Sequence, residues 1–146
     1  MYDKTGQRNP ENAQTAEIRA ELEARLPGRT VESNVPVVHA TGALLGDIDL
    51  LVDDQVIVLL KEGNGSGQLA EAELFLPHDR HGNANPLIGD SNPNNLPVVS
   101  YAERLGRHAH GGLQKAGVTS FGGGRSAAER LAQRQAFLDH IESLIK

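Results

Sequence analysis

The chain has no cysteine and no tryptophan. Without thiols there is no disulfide framework and no thiolate metal site, a composition compatible with a reducing compartment. Aromatic residues make up 3% of the 146 residues, too few to furnish the base-stacking platform of a single-strand binder. A basic excess is missing as well: 14 Lys and Arg stand against 19 Asp and Glu, a formal net charge of −5. Any nucleic-acid contact would therefore have to come from a local patch, such as Arg104, Arg107 and Lys115, or Arg125, Arg130 and Arg134. No apolar run approaches the length needed to cross a bilayer, and the N-terminal MYDKTGQRNPENAQ lacks the apolar centre of a signal peptide. The expectation is a soluble chain with no membrane partner. At 38% hydrophobic content it is long enough for one domain with a buried core and too short for two.

What is present is concentrated in residues 46–67, GDIDLLVDDQVIVLLKEGNGSG. Acidic and apolar residues alternate over its first part. A strand has a side-chain period of two, so Asp47 and Asp49 are expected on one face and Ile48, Leu50 and Val52 on the other. Asp53, Asp54 and Gln55 are turn chemistry, and residues 56–60 run apolar into Lys61. The two strands read as a tight hairpin with Lys61 at the strand end near the acids. Two carboxylates and a lysine converging there could hold a divalent cation, position a water and neutralise charge on a phosphate. An exposed hairpin with solvated charges fits the same pattern.

Around this stretch, residues 1–12 are polar and read as a loosely ordered lead-in. Residues 13–26 carry Ile18, Leu22 and Leu26 four apart, which predicts an amphipathic helix ended by Pro27 and Gly28, with Glu17 and Glu21 one turn apart. Residues 29–40 read as a strand broken near Asn34, with Pro36 marking an edge or a bulge. Residues 62–67 form a glycine-rich loop ahead of a helix over 68–76; such a loop can cradle a phosphate, although no Lys-Ser/Thr follows it. Residues 78–96 read as a long surface loop with little to bury, in which His78, Asp79 and His81 are solvated in preference to binding metal. A short strand over 97–101, a helix over 103–116, a second short strand over 118–121 and a closing helix over 126–146 complete the chain. Ser126 and Glu129 fit a capping box, and Leu131, Phe137, Leu138, Ile141, Leu144 and Ile145 supply the buried face. Strand, helix and strand in succession predict a parallel crossover. Residues 13–146 thus read as a single α/β domain.

A Gly-acidic-Ile-Asp strand, a turn, an apolar strand ending in Lys and a Gly/Ser-rich segment together resemble the core of the PD-(D/E)XK nucleases. The resemblance covers residues 13–121 by arrangement and is motif-specific only around 46–68. It implies a restriction-endonuclease-like αβββαβ core, a three-layer αβα sandwich around a central mixed sheet, here followed by a long C-terminal helix. In that family one or two Mg²⁺ (or Mn²⁺) ions are held by a strand Asp, by a Glu two residues before the Lys and by the following carbonyl, while the Lys counters charge on the phosphate. By that comparison Asp49 and the Leu60 carbonyl are metal ligands and Lys61 is catalytic. Gln68 matches a Gln early on the next helix, and Glu17 an additional metal-site or water-ordering Glu on the preceding one. The family Glu is missing, since position 59 is leucine, which cannot ligate a metal. With a carboxylate supplied by Asp47, Glu17, Glu62, Glu71 or Glu73, the resemblance implies a metal-dependent endonuclease acting on DNA or RNA, cytoplasmic or secreted as part of a larger toxin. Without one it implies a catalytically inactive interaction module or immunity-type partner, meeting another protein or a second copy of itself. The Asp47-x-Asp49 strand also resembles that of the minimal nucleotidyltransferases. That family wants a Gly-Ser turn and a helix before the pair, and here Gly42-Ala43 stands too close to it.

Overall fold

A computed structural model describes residues 2–61, 72–79, 81–102, 118–122 and 125–146. Helix α1 (Ala13–Arg25) starts where the Asn12 side chain accepts the N–H of Thr15 at 2.8 Å, satisfying one of the free donors of the first turn. It ends at Leu26, whose N–H closes on the Leu22 carbonyl, and Gly28 then takes φ +82°, a left-handed turn that glycine adopts without strain. Ile18, Leu22 and Leu26 are buried, as their spacing predicts.

Strands β1 (Val31–Val38), β2 (Leu44–Val52) and β3 (Val56–Lys61) form an antiparallel meander. Between β2 and β3 the Val52 carbonyl accepts the Gln55 N–H at 2.8 Å, with Asp53 at φ +48° and Asp54 at φ +55°. Two successive left-handed residues match the twist of the flanking strands, which is why the hairpin is tight. Strands β4 (Val98–Ala102) and β5 (Val118–Gly122) add in parallel, giving a five-stranded mixed sheet in the order β1-β2-β3-β4-β5. A one-turn helix α2 (Ile88–Ser91) precedes β4, and α3 (Ala127–Leu144) closes the chain. The α3 N-terminus is capped as expected at Ser126, whose hydroxyl accepts the Glu129 N–H at 3.1 Å. The Glu129 carboxylate reaches back to the Arg125 N–H at 2.7 Å.

Both faces of the sheet are covered. On one, α1 and α3 pack Ile18, Leu22, Phe137, Leu138 and Ile141 against Leu50, Val52, Val56, Val58, Leu60, Val99 and Tyr101, with the Tyr101 and Phe137 rings stacked at 4.9 Å. On the other, Ala72, Phe75 and Leu76 cover Val35, Val37, Ile48, Leu51, Ile57, Leu59 and Val98. The architecture is α/β with a mixed sheet and a C-terminal helix.

Three expectations change. Leu131 is 58% exposed, not buried. It lies six residues before Phe137, about a third of a turn round the helix from the stripe that meets the sheet. The strict alternation of β2 also fails: Ile48 packs with Leu51, while Leu50 and Val52 pack on the opposite face. The loop over 78–96 is not all surface, because Ser91 and Asn92 are buried. Asn92 donates to the carbonyls of Phe75 (3.1 Å) and Leu96 (3.0 Å) and accepts the Leu96 N–H (2.8 Å), so its polarity is satisfied by backbone. Residues 2–9 run along the outer side of β1: Tyr2 bridges to Val37, and the Asp3 N–H donates to the Pro36 carbonyl at 2.9 Å. An edge strand offers just such unpaired groups. The helix over 68–76 is described only from Ala72 and that over 103–116 not at all; the remainder of both lies outside the described residues.

Candidate active site at the fork of two strands

The β2–β3 register pairs Val52 with Val56, Leu51 with Ile57 and Leu50 with Val58, and there the ladder stops. One further step in the same register sets Asp49 opposite Leu59. At that level a continuous ladder would give the Leu60 N–H a carbonyl of β2; instead it donates to Asp49 Oδ2 at 2.7 Å. Beside β1, too, the register passes over this level: Ser33 pairs with Leu50 and Val35 with Ile48, with Asn34 at φ +48° between. Asp49 is therefore the level at which the β2–β3 ladder has ended and the β1–β2 ladder skips one step. Its half-buried carboxylate closes the fork through a charge-assisted hydrogen bond.

Leu59 is 1% exposed and packs among Leu51, Ile57, Phe75 and Leu76. Its parallel neighbour on β4 is Ser100, fully buried, whose hydroxyl donates to that of Ser120 on β5 at 3.1 Å. The level at which the resemblance would put a second metal carboxylate thus holds a packed leucine and a satisfied hydroxyl pair. The serine pair was not among the residues singled out from sequence. Its signal was there, each serine standing third in its strand, VVSYA and VTSFG.

Glu17 turns to α3, where its carboxylate lies 2.9 Å from Arg134, and the same guanidinium holds Glu21 at 2.7 Å. Asp47 accepts the Asn9 side-chain amide at 2.7 Å, so the two aspartates of β2 are engaged separately. The Lys61 backbone pairs with Ala102 at the end of β3; the Lys61 side chain and the whole of Glu62, Gln68 and Glu71 lie outside the described residues. Glu73 lines an open pocket of about 220 Å³ with Leu74, Asp79, Ala84, Asn85 and Pro86. Asp79 is a turn former, accepting the N–H groups of Asn83 (2.9 Å) and His81 (2.8 Å). These bonds, that from Asn83 first, hold its carboxyl below the ordinary carboxylate range.

Among the described residues the cations are largely committed. Lys4 is paired with Glu32 and Asp54, Arg19 with Glu11 and Glu23, Arg25 with Asp139 and Glu142, and Arg29 with Asp53. Arg134, one member of the basic patch suggested by sequence, is neutralised by the two glutamates of α1. The remaining patch at Arg104, Arg107 and Lys115 lies outside the described residues.

A hard divalent cation takes six or more oxygen ligands, several of them anionic. Among the described residues no three His, Asp or Glu side chains converge on one point. Opposite Asp49 stands a leucine, Glu17 faces Arg134 and Asp47 faces Asn9. As they stand, these residues do not fit a Mg²⁺ or Mn²⁺ site. No helix among them is long and apolar enough to cross a membrane. Compared with models of protein families, with curated proteins and with solved structures, the chain matches none.

Proposed function

We propose that the chain is a PD-(D/E)XK-type domain, a metal-dependent endonuclease by architecture, in which Leu59 has closed the metal site, leaving an interaction module that does not cut nucleic acid. The observation that carries this reading is the fork itself: Asp49 stands just past the last β2–β3 pair, its carboxylate on the Leu60 N–H, one register step from Leu59, where the resembling family has its second carboxylate. The order of helix, three-strand meander and parallel crossover supports an αβββαβ core of restriction-endonuclease type. The net charge of −5 and the pairing of the described cations favour a protein partner over a nucleic-acid backbone.

The test is cleavage of plasmid, single-stranded DNA and bulk RNA in Mg²⁺ or Mn²⁺. It compares the unaltered chain, Leu59→Glu, and Leu59→Glu combined with Asp49→Ala. The expected result is cleavage by Leu59→Glu alone, abolished by Asp49→Ala. Cleavage by the unaltered chain that Asp49→Ala removes would instead make it an active endonuclease with a relocated carboxylate, and Glu62 and Glu71 would be examined next. Inactivity of every folded form would sink the nuclease lineage as an account of Asp49.

A further inference from the structure

The register of β1 against β2 is the same on both sides of the gap at Asn34 and Asp49: Ser33 with Leu50 before it, Val35 with Ile48 after it. No residue has been inserted, so the gap is not a bulge. It is a local reversal of the strands, in which Ile48 and Leu50, two residues apart, face opposite sides of the sheet. The residue count is equal on the two strands, so the gap is fixed by the packing of Ile48 and Leu50 on opposite faces together with polar contacts.

Two asparagines make those contacts. Asn34 holds φ +48°, a left-handed conformation that asparagine tolerates better than other side chains, and its amide donates to the Asn9 carbonyl at 2.8 Å. Asn9 in turn donates its own amide to Asp47 Oδ2 at 2.7 Å. One residue of the N-terminal segment thus grips β1 at the gap and β2 two residues before Asp49. The guanidinium of Arg8 steadies the segment by donating to the carbonyls of Ser33 (3.4 Å) and Lys4 (3.0 Å).

We propose that Asn9 and Asn34 are positioning residues for Asp49: by holding the β1–β2 gap open they keep the Asp49 carboxylate in the fork, on the N–H of Leu60. The assignment deepens the proposed site and takes its functional meaning from that reading, but its geometry stands apart from any metal or substrate. If the clamp is released, β1 and β2 lose the polar tie across the gap, and the Asp49 carboxylate is held less firmly on the Leu60 N–H.

The experiment is amide hydrogen exchange on the full chain, resolved by NMR, for the unaltered protein, Asn9→Ala and Lys4→Ala. Asn9 is exposed, so its truncation removes the bond to Asp47, keeps the carbonyl that Asn34 meets and leaves the core intact. Lys4→Ala removes the strap's ion pairs with Glu32 and Asp54 without touching the clamp. In Asn9→Ala the protection of the Leu60 amide falls roughly tenfold relative to that of Val58, the scale expected for weakening a hydrogen bond to a charged group. In Lys4→Ala the ratio does not change. Unchanged Leu60 protection in Asn9→Ala, or an equal fall in Lys4→Ala, overturns the assignment. Because no metal or substrate enters the measurement, its outcome is independent of whether Leu59→Glu cleaves.

Discussion

Replacing Leu59 by glutamate tests the fork most directly, because the same change is expected to damage the fold and to create a site. Leu59 is 1% exposed, so its removal forfeits about 2 kcal/mol of apolar burial. The incoming carboxyl stands in an apolar cluster opposite Asp49, and burial and the neighbouring charge both raise its pKa. A rise of about two units costs about 2.7 kcal/mol at pH 7. The sum, about 4–5 kcal/mol, is a large part of the stability of an ordinary domain and corresponds to a fall in Tm of roughly 15 °C for a chain of this size. The sign of the pH dependence follows. A carboxyl whose folded pKa is raised incurs its penalty above the unfolded pKa and sheds it as pH falls, so in EDTA the variant's deficit should shrink by about half from pH 7 to about pH 4.5. At pH 7 a divalent ion should restore about 2.7 kcal/mol once present at a hundredfold excess over its Kd. Thermal melts by circular dichroism in EDTA and in Mn²⁺, with Leu59→Met as the volume-conserving control expected within about 1.5 kcal/mol, measure all of this. A variant as stable as the parent in EDTA would refute the packing of Leu59, and a deficit that Mn²⁺ leaves untouched would refute the idea that positions 49 and 59 frame a metal site.

Four other substitutions probe the sheet and the N-terminal segment beside it. A Cβ at Gly122 would lie 1.8 Å from the Ala102 carbonyl oxygen at φ +130°, so Gly122→Ala should destabilise by about 3 kcal/mol or more in urea denaturation by releasing β5 from β4. Ser100→Ala should cost about 1–2 kcal/mol, because Ser120 loses its partner, and adding Ser120→Ala should recover part of that loss in a double-mutant cycle. Burial, reinforced by the Asp54 charge, pushes the Tyr2 phenol up to about 12 from 10.0. With the folded pKa raised, its contribution is complete below pH 10 and lost as pH rises towards 12; phenolate absorbance should show the delayed titration, and Tyr2→Phe should abolish it.

Much of the scaffold was legible because local signals agreed with tertiary ones. Ile18, Leu22 and Leu26 announced α1, the Asp53–Asp54 turn announced the hairpin, and Asn34 and Pro36 marked the interrupted outer strand. The misreadings share one cause: periodicity describes an element in isolation. The reversal at Asn34 changes which side Ile48 faces, and only the neighbouring strand and the strap show it. Asn92 carries no apolar signal at all; its burial follows from backbone groups of Phe75 and Leu96 that become its partners only after folding. At the site, sequence singled out Asp49 and Leu59, and the structure sets them one step beyond the last pair of the β2–β3 ladder. Sequence could not supply the partner of Glu17, because a glutamate on α1 looks the same whether it faces the sheet or, as here, an arginine of α3.

The division of the sheet into an antiparallel meander and two later parallel strands also sets an order of assembly. β1, β2 and β3 are joined by short turns and can pair within microseconds, whereas β4 must wait for the long connection from Lys61 to Val98 to close. Until it does, one edge of β3 is open, and residues 56–60 are five consecutive apolar, mostly β-branched side chains with no charge. The central strand of the finished molecule is thus the sticky edge of the growing one, and the interval before β4 arrives is when this chain is most prone to aggregate with its copies.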